Sequence, residues 1–202
     1  KTVLEQVVDR SNAVKRVDQT VVATTVKRPD LAIVKLCAIK GISVYCGSEN
    51  DVLDRYYQTA RLFGADHIVR ITSDCPVIDP KIVDQVIDLH LKKKVDLAAN
   101  ILTETFPDGL DVEVFNFKSL FTAWRDARLV SQREHVTPYI KDHPRLVRLV
   151  NLPCSDNLYH KRWTLDNPED YKFLCRVYNA LYKKNKRFGM KEILAYVKQH
   201  PE

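Results

Sequence analysis

Two aspartates stand where an open α/β sheet places its chemistry. Asp74 follows an apolar, β-branched run at 67–72, within Thr72-Ser73-Asp74-Cys75-Pro76, and Asp166 follows Arg162-Trp163-Thr164-Leu165. Ligands of such sheets bind outside the carboxyl ends of the strands. Carboxylates beside phosphates hold Mg²⁺, which takes one or two of them and keeps several waters. Each aspartate also has a plainer reading, Asp74 as a turn residue and Asp166 as the cap of the helix opening at Asn167-Pro168-Glu169-Asp170.

Three further groups could carry chemistry. In Phe106-Pro107-Asp108-Gly109-Leu110-Asp111-Val112-Glu113-Val114 a Pro-Asp-Gly turn leads into alternating residues. That alternation puts Asp111 and Glu113 on one face of a strand, either solvated or facing a site. Arg133-Glu134-His135 opens a helix. Arg133 offers a fork suited to a carboxylate or phosphate, or a surface salt bridge. The segment Gly47-Ser48-Glu49-Asn50-Asp51-Val52-Leu53-Asp54-Arg55-Tyr56-Tyr57 follows a strand and starts a helix, so Ser48 or Asn50 either caps it or helps it hold an anion. Ser48, Asp54 and Arg55 are the nucleotide-binding candidates there. No Ser/His/Asp order and no reactive-cysteine context stands out.

The elements that must position these residues follow from apolar spacing. Helical spacing covers 3–17, 33–39, 51–63 and 80–94, the last with proline in its first turn. Short β-branched runs at 20–25, 42–45, 67–72 and 95–99 read as strands between them. Strands alternating with helices imply parallel βαβ units and a layered sheet. Beyond residue 100 the pattern changes, with a strand over 110–115, helices over 119–127 and 133–141, strands over 147–152 and 162–165, and closing helices over 168–184 and 189–198. No linker or repeat divides the 202 residues, which predicts a single domain.

Composition narrows the function classes. The 45% hydrophobic and 29% charged residues are ordinary globular values, and no run of 18 apolar residues offers a membrane span. No charged-then-apolar leader opens the chain. Five cysteines without a Cys-x-x-Cys pair argue against a disulfide framework or zinc cluster and fit reduced thiols in the cytoplasm. The net charge of +6 lies largely in Lys92-Lys93-Lys94 and Lys183-Lys184-Asn185-Lys186-Arg187, at the ends of helices, where cations meet the negative end of the dipole. That placement favours a solvated face over a nucleic-acid patch, and a small anionic ligand suits the charge. With only five glycines, neither a dinucleotide fingerprint nor a P-loop can be written.

Taken in order, Val22-Ala23-Thr24-Thr25, the 47–57 segment, Ile68-Val69-Arg70-Ile71-Thr72-Ser73-Asp74-Cys75-Pro76, Phe106 to Phe115, Arg133-Glu134-His135-Val136-Thr137-Pro138-Tyr139 and Arg162-Trp163-Thr164-Leu165-Asp166 cover nearly the whole chain. This set resembles the spore coat polysaccharide biosynthesis branch of the cytidylyltransferases, related to those that activate acylneuraminate and 3-deoxy-manno-octulosonate. The resemblance implies a three-layer nucleotide-diphospho-sugar transferase-like fold with a mostly parallel sheet. It implies a cytoplasmic enzyme that joins a sugar, expected to be acidic, to CMP from CTP, with pyrophosphate released, and it is compatible with a homodimer. It assigns Mg²⁺ to Asp74 and Asp166, the sugar to Arg133 and His135, and the lining of the same pocket to Asp108, Asp111 and Glu113. The family's first-strand loop, Arg-x-x-Ser-x-Arg-Leu-Pro-Gly-Lys, has no counterpart here, and Lys1-Thr2-Val3-Leu4 resembles the stretch just after it. A first strand and nucleotide-binding loop ahead of Lys1, and little turnover without them, are therefore expected. A non-catalytic sugar- or nucleotide-binding module, and a transferase using another nucleotide or acceptor, are the alternatives that fold alone leaves open.

Overall fold

The computed structural model describes residues 1–145 and 147–200. Among the described residues, six strands are β1 (Val21–Thr25), β2 (Ser43–Gly47), β3 (His67–Arg70), β4 (Leu97–Ala99), β5 (Glu113–Asn116) and β6 (Leu149–Asn151). The α-helices of the described residues are α1 (Val3–Ser11), α2 (Leu31–Lys40), α3 (Val52–Leu62), α4 (Pro80–Lys93), α5 (Phe117–Asp126), α6 (Val130–His135), α7 (Pro138–Asp142), α8 (Pro168–Leu181) and α9 (Met190–Gln199). Local chemistry sets many of their ends. Thr2 closes a capping box on α1, Asp51 caps α3, Asp79 caps α4 ahead of Pro80, and Asn167 with Asp170 forms the box that starts α8. Gly41, at φ 64°, ends α2 in the left-handed region that glycine adopts without a steric cost.

Two ladders result. β1 and β2 pair in parallel, and a four-stranded sheet runs in the order β3-β5-β4-β6. In that sheet β3, β4 and β6 share a direction, and β5 alone runs against its neighbours. The register explains the layering. Ile68, Phe115, Leu97 and Leu149 lie across from one another, and so do Val69, Val114, Ala98 and Val150, one position along. Because side chains alternate between faces, the first row enters a core with Leu53, Tyr57 and Ala60 of α3, Leu120 and Ala123 of α5 and Ile140 of α7. The second row enters the opposite core with Ile82, Val83 and Val86 of α4, Leu174 and Val177 of α8 and Ile193 of α9. Helices therefore cover both faces, giving three layers, as the sequence implied.

Four elements depart from the sequence reading. The helix expected over 3–17 stops at Ser11. Ala13 and Val14 continue in tight turns, bonded to the carbonyls of Arg10 and Ser11, and the turns still deliver Val14 to the core. The helix expected over 133–141 is two short ones, broken at Val136, whose φ of 73° is outside helical space. Pro138 has no N–H to continue a preceding helix, so a new one starts on it. The strand expected over 162–165 is reduced to a single bridge between Asp108 and Arg162. The strand expected over 110–115 begins only at Glu113, so Asp111 and Glu113 do not share a strand face.

Candidate active site

Three chain segments meet beyond the carboxyl ends of β3 and β4. The first, 71–76, leaves β3. The second, 100–112, leaves β4 and returns into β5. The third, 161–166, leads to α8. Backbone bonds lace them together. The Asp108 N–H donates to the Lys161 carbonyl at 2.9 Å and the Trp163 N–H to the Asp108 carbonyl at 2.7 Å. The Leu165 N–H donates to the Asp74 carbonyl at 2.9 Å, and the Thr164 hydroxyl reaches the same oxygen at 3.3 Å. Gly109 permits the crossing. Its φ is +99°, and a Cβ there would lie 2.6 Å from backbone atoms of Trp163 and Thr164, closer than any side chain can approach.

Asn100 closes the second segment. It is fully buried, its Nδ2 donates to the Leu110 carbonyl at 2.7 Å, and its Oδ1 accepts from the Val112 N–H at 2.8 Å. Buried backbone groups need partners, and this amide supplies two where the ladder of β4 and β5 ends. The loop between is thereby held open around a cavity of about 370 Å³, lined by Glu104, Asp108, Asp111, Tyr159 and Arg162 over an apolar floor that includes Phe106.

The cavity is charged and incompletely neutralised. Arg162 bonds Asp108 at 2.9 Å, bonds Asp170 through both Nε and Nη2 at 3.1 Å, and bonds Asp166. Asp170 is held below the usual carboxylate range by that guanidinium. Asp108 is pushed up, mainly by burial and against the pull of Arg162, with Asp166 and Asp74 contributing repulsion. Asp111 is pushed up to about 6 by burial first, then by Asp108, Glu113, Glu104 and Asp74. A carboxyl group with such a value is ionised at neutral pH yet binds a proton better than an ordinary aspartate.

The bond between the Asp74 carbonyl and the N–H of Leu165 brings the segments of Asp74 and Asp166 side by side, although neither side chain is among the residues lining the cavity. Their oxygens are hard donors, and among the described residues no three His, Cys, Asp or Glu side chains form a ready metal cage. Such a pair fits Mg²⁺, which completes its shell with substrate phosphates and water, better than a structural zinc site.

The other candidates lie elsewhere. Glu113 is 1% exposed and accepts from Arg70 at 3.0 Å, Thr137 at 2.7 Å and Lys141 at 3.2 Å. Arg133 donates through Nε and Nη2 to Asp51, at 3.0 and 2.5 Å, and through Nη1 to the Trp124 carbonyl at 2.6 Å. Asp54 accepts from Trp124 Nε1 at 2.8 Å, Ser48 Oγ accepts from the Asp51 N–H at 3.0 Å, and Arg55 donates to the Ser48 carbonyl at 2.6 Å. Ser48, Asp54, Arg55 and Arg133 therefore form one cluster at the start of α3, and His135 is exposed on α6. None of these six lines the cavity. Arg55 keeps a buried Nε without a partner among the described residues.

Sequence reasoning passed over Glu104, Tyr159, Asn100 and Arg162 as site residues. Arg162 had a signal, since it stands four residues before Asp166 and eight before Asp170.

The comparisons with known proteins bear on family and fold. The profile of the cytidylyltransferase family matches residues 1–198. An uncharacterized protein of Methanocaldococcus jannaschii is 35% identical over all of this chain and 82% of its own length. The spore coat polysaccharide biosynthesis protein SpsF of Bacillus subtilis is 34% identical over 83% of this chain and 68% of its own. A cytidylyltransferase from Leptospira borgpetersenii superposes with a TM-score of 0.94 at 30% identity, over all of this chain and 84% of that one. Through this family match, these relatives and the shared fold, the chain belongs to the cytidylyltransferase family, whose chemistry is nucleotidyl transfer.

Proposed function

We propose that this chain activates a sugar for surface polysaccharide assembly by transferring CMP from CTP at the cavity beyond β3 and β4. One observation carries the reading: Asp108 and Asp111 line one opening beyond the strand ends, and the segments of Asp74 and Asp166 are bonded beside it, Asp166 to the lining Arg162. The family assignment supports CTP as donor, and the similarity to a spore coat polysaccharide protein supports a sugar acceptor.

The reaction is an in-line displacement. A sugar hydroxyl oxygen bonds to the α-phosphorus of CTP, the bond from that phosphorus to the bridging oxygen breaks, and pyrophosphate leaves with the bond's electron pair. The hydroxyl proton passes to a base, and Asp111 is suited to take it, being ionised at neutral pH but more basic than a solvated aspartate. Asp74 and Asp166 would hold a divalent cation, which when bound supplies neutralisation of the charge developing on the phosphates. Asp108, bonded to Arg162, and Glu104 present oxygens to sugar hydroxyls. An acidic acceptor is the finer part of the reading. Its carboxylate would share the sign of Glu104, Asp108 and Asp111, so it would have to be met by Arg162 or by the bound cation.

Pyrophosphate release by the full-length protein, measured with CTP, GTP and UTP against a panel of neutral and acidic sugars, tests this. Release that requires CTP and a sugar together is the expected result. Equal release with every nucleotide, or none with any sugar, contradicts it.

A further inference from the structure

Arg162 is the single cation among the residues lining the cavity, and the described structure surrounds it with acids. Its Nε and one Nη2 hydrogen engage both oxygens of Asp170. Asp170 is independently anchored, because it accepts from the backbone N–H groups of Asp166 at 2.9 Å and Asn167 at 3.1 Å as part of the box that starts α8. The guanidinium is therefore fixed from behind. Its remaining bonds reach Asp108 and Asp166, and among the described residues it is the only side-chain donor to either. Of the carboxylates that meet here, then, Arg162 holds Asp166 and Asp108 in front and Asp170 behind, whereas Asp74 and Asp111 have no cationic partner among the described residues.

We propose that Arg162 is an internal counter-ion: a positioning residue that aims Asp166 and Asp108 at the cavity and holds Asp166 until a divalent cation, arriving with nucleotide phosphates, takes that carboxylate over. The inference rests on the reading of Asp74 and Asp166 as cation ligands. Its physical basis is competition for one carboxylate. The guanidinium bonds one oxygen of Asp166, and its positive charge opposes a second cation at that carboxylate, so the nucleotide-free protein binds divalent cations weakly. A cation escorted by a triphosphate brings its own oxygen ligands and a second positive charge, and it wins the competition. The fork geometry matters as well as the charge, since one planar group spans three carboxylates where an ammonium could not.

The test is Mn²⁺ titration of the nucleotide-free protein, read by electron paramagnetic resonance, for the parent protein, Arg162→Gln and Arg162→Lys. Removing the competing charge should tighten Mn²⁺ binding about tenfold in Arg162→Gln, although pyrophosphate release falls because Asp108 and Asp166 lose their aim. Arg162→Lys should tighten binding by a smaller factor, and it keeps the question answerable if the glutamine variant fails to fold. Unchanged or weaker Mn²⁺ binding in the variants that fold, as a merely structural arginine would give, overturns the proposal. Asp166→Asn separates this from failure of the underlying reading. If Asp166→Asn abolishes binding of Mn²⁺–CTP while the Arg162 variants show no tightening, only the counter-ion role falls. If it leaves Mn²⁺–CTP binding intact, Asp166 is not a ligand and both fall.

Discussion

Two acidic clusters lie near each other, one on each side of the point where β5 begins, and they are built in opposite ways. Around Glu113, three donors converge on one carboxylate that water does not reach, and Arg70, Thr137 and Lys141 answer its charge and lone pairs. At the cavity, Glu104, Asp108 and Asp111, with Asp74 and Asp166 on the adjoining segments, have one lining cation, Arg162, part of whose bonding goes to Asp170 behind. Complete compensation locks a carboxylate into the fold, where it joins β3, β5, the start of α7 and its last turn. Incomplete compensation leaves charge that a cation or a hydroxyl donor can satisfy, and its cost to the folded state is what marks a site. Glu113 and Asp111 are two residues apart in sequence and belong to different jobs.

The sharpest way to break this contrast is to neutralise the cation ligands. Asp74→Asn and Asp166→Asn should each lower turnover by roughly a hundredfold or more while the fold is retained, since each amide keeps shape and removes one unit of charge. Steady-state pyrophosphate release alongside circular dichroism checks this, and retained turnover would return both residues to turn and cap.

Glu113→Gln should act on stability. The new amide can still accept from Thr137, but its NH₂ group faces the Arg70 donor, and two cations lose their counter-charge. A loss of about 2–3 kcal/mol is expected in urea unfolding.

Asp111→Asn should do the reverse and stabilise the protein, by about 1–3 kcal/mol at pH 7. Its folded pKa, about 6, lies above the ordinary aspartate value. Protonation is therefore easier in the folded state, and low pH favours folding through this group. That advantage is lost as pH rises through the interval from the ordinary value to about 6, and above it the buried charge is a net cost that asparagine removes. The stability gap between variant and parent should shrink as pH falls through that interval and vanish below it, whereas a pH-independent gap would deny Asp111 its place in the cluster.

The smallest effect is expected at Arg133. Its bonds to Asp51 and the Trp124 carbonyl tie α3 to α5 and α6. Arg133→Lys should cost about 1 kcal/mol of stability and shift the apparent constants for CTP and sugar alike. A selective rise in the sugar's constant would bring Arg133 back to the acceptor role that the resemblance gave it.

These contrasts were only partly legible in the sequence. The strands and covering helices could be read, because β-branched runs and 3.6-residue spacing act locally. The break at Val136 had a signal in Pro138, which disfavours helix in the residue before it, but helical spacing outweighed it. The reversed direction of β5 had none, since alternation reports a strand and not its orientation. Strand ends suggest that Asp74 and Asp166 meet, but no strand among the described residues leads into Asp166, and a backbone bond from Leu165 to the Asp74 carbonyl joins their segments instead. Glu113 and Asp111 could not be told apart, because compensation depends on Arg70, Thr137 and Lys141, which the fold brings from other elements. Arg162 was hidden for the same reason: a lone arginine in sequence becomes a hub only when Asp108 and the α8 cap arrive beside it.

The central claim is that charge compensation, and not acidity, separates the site from the scaffold. The most direct measurement is pyrophosphate release per folded molecule, with CTP and a responsive sugar, in Asp111→Asn and Glu113→Gln side by side. The expected result is a large loss of turnover in the more stable Asp111→Asn and near-parental turnover in the folded fraction of the less stable Glu113→Gln. Lost turnover in folded Glu113→Gln with full activity in Asp111→Asn would contradict it.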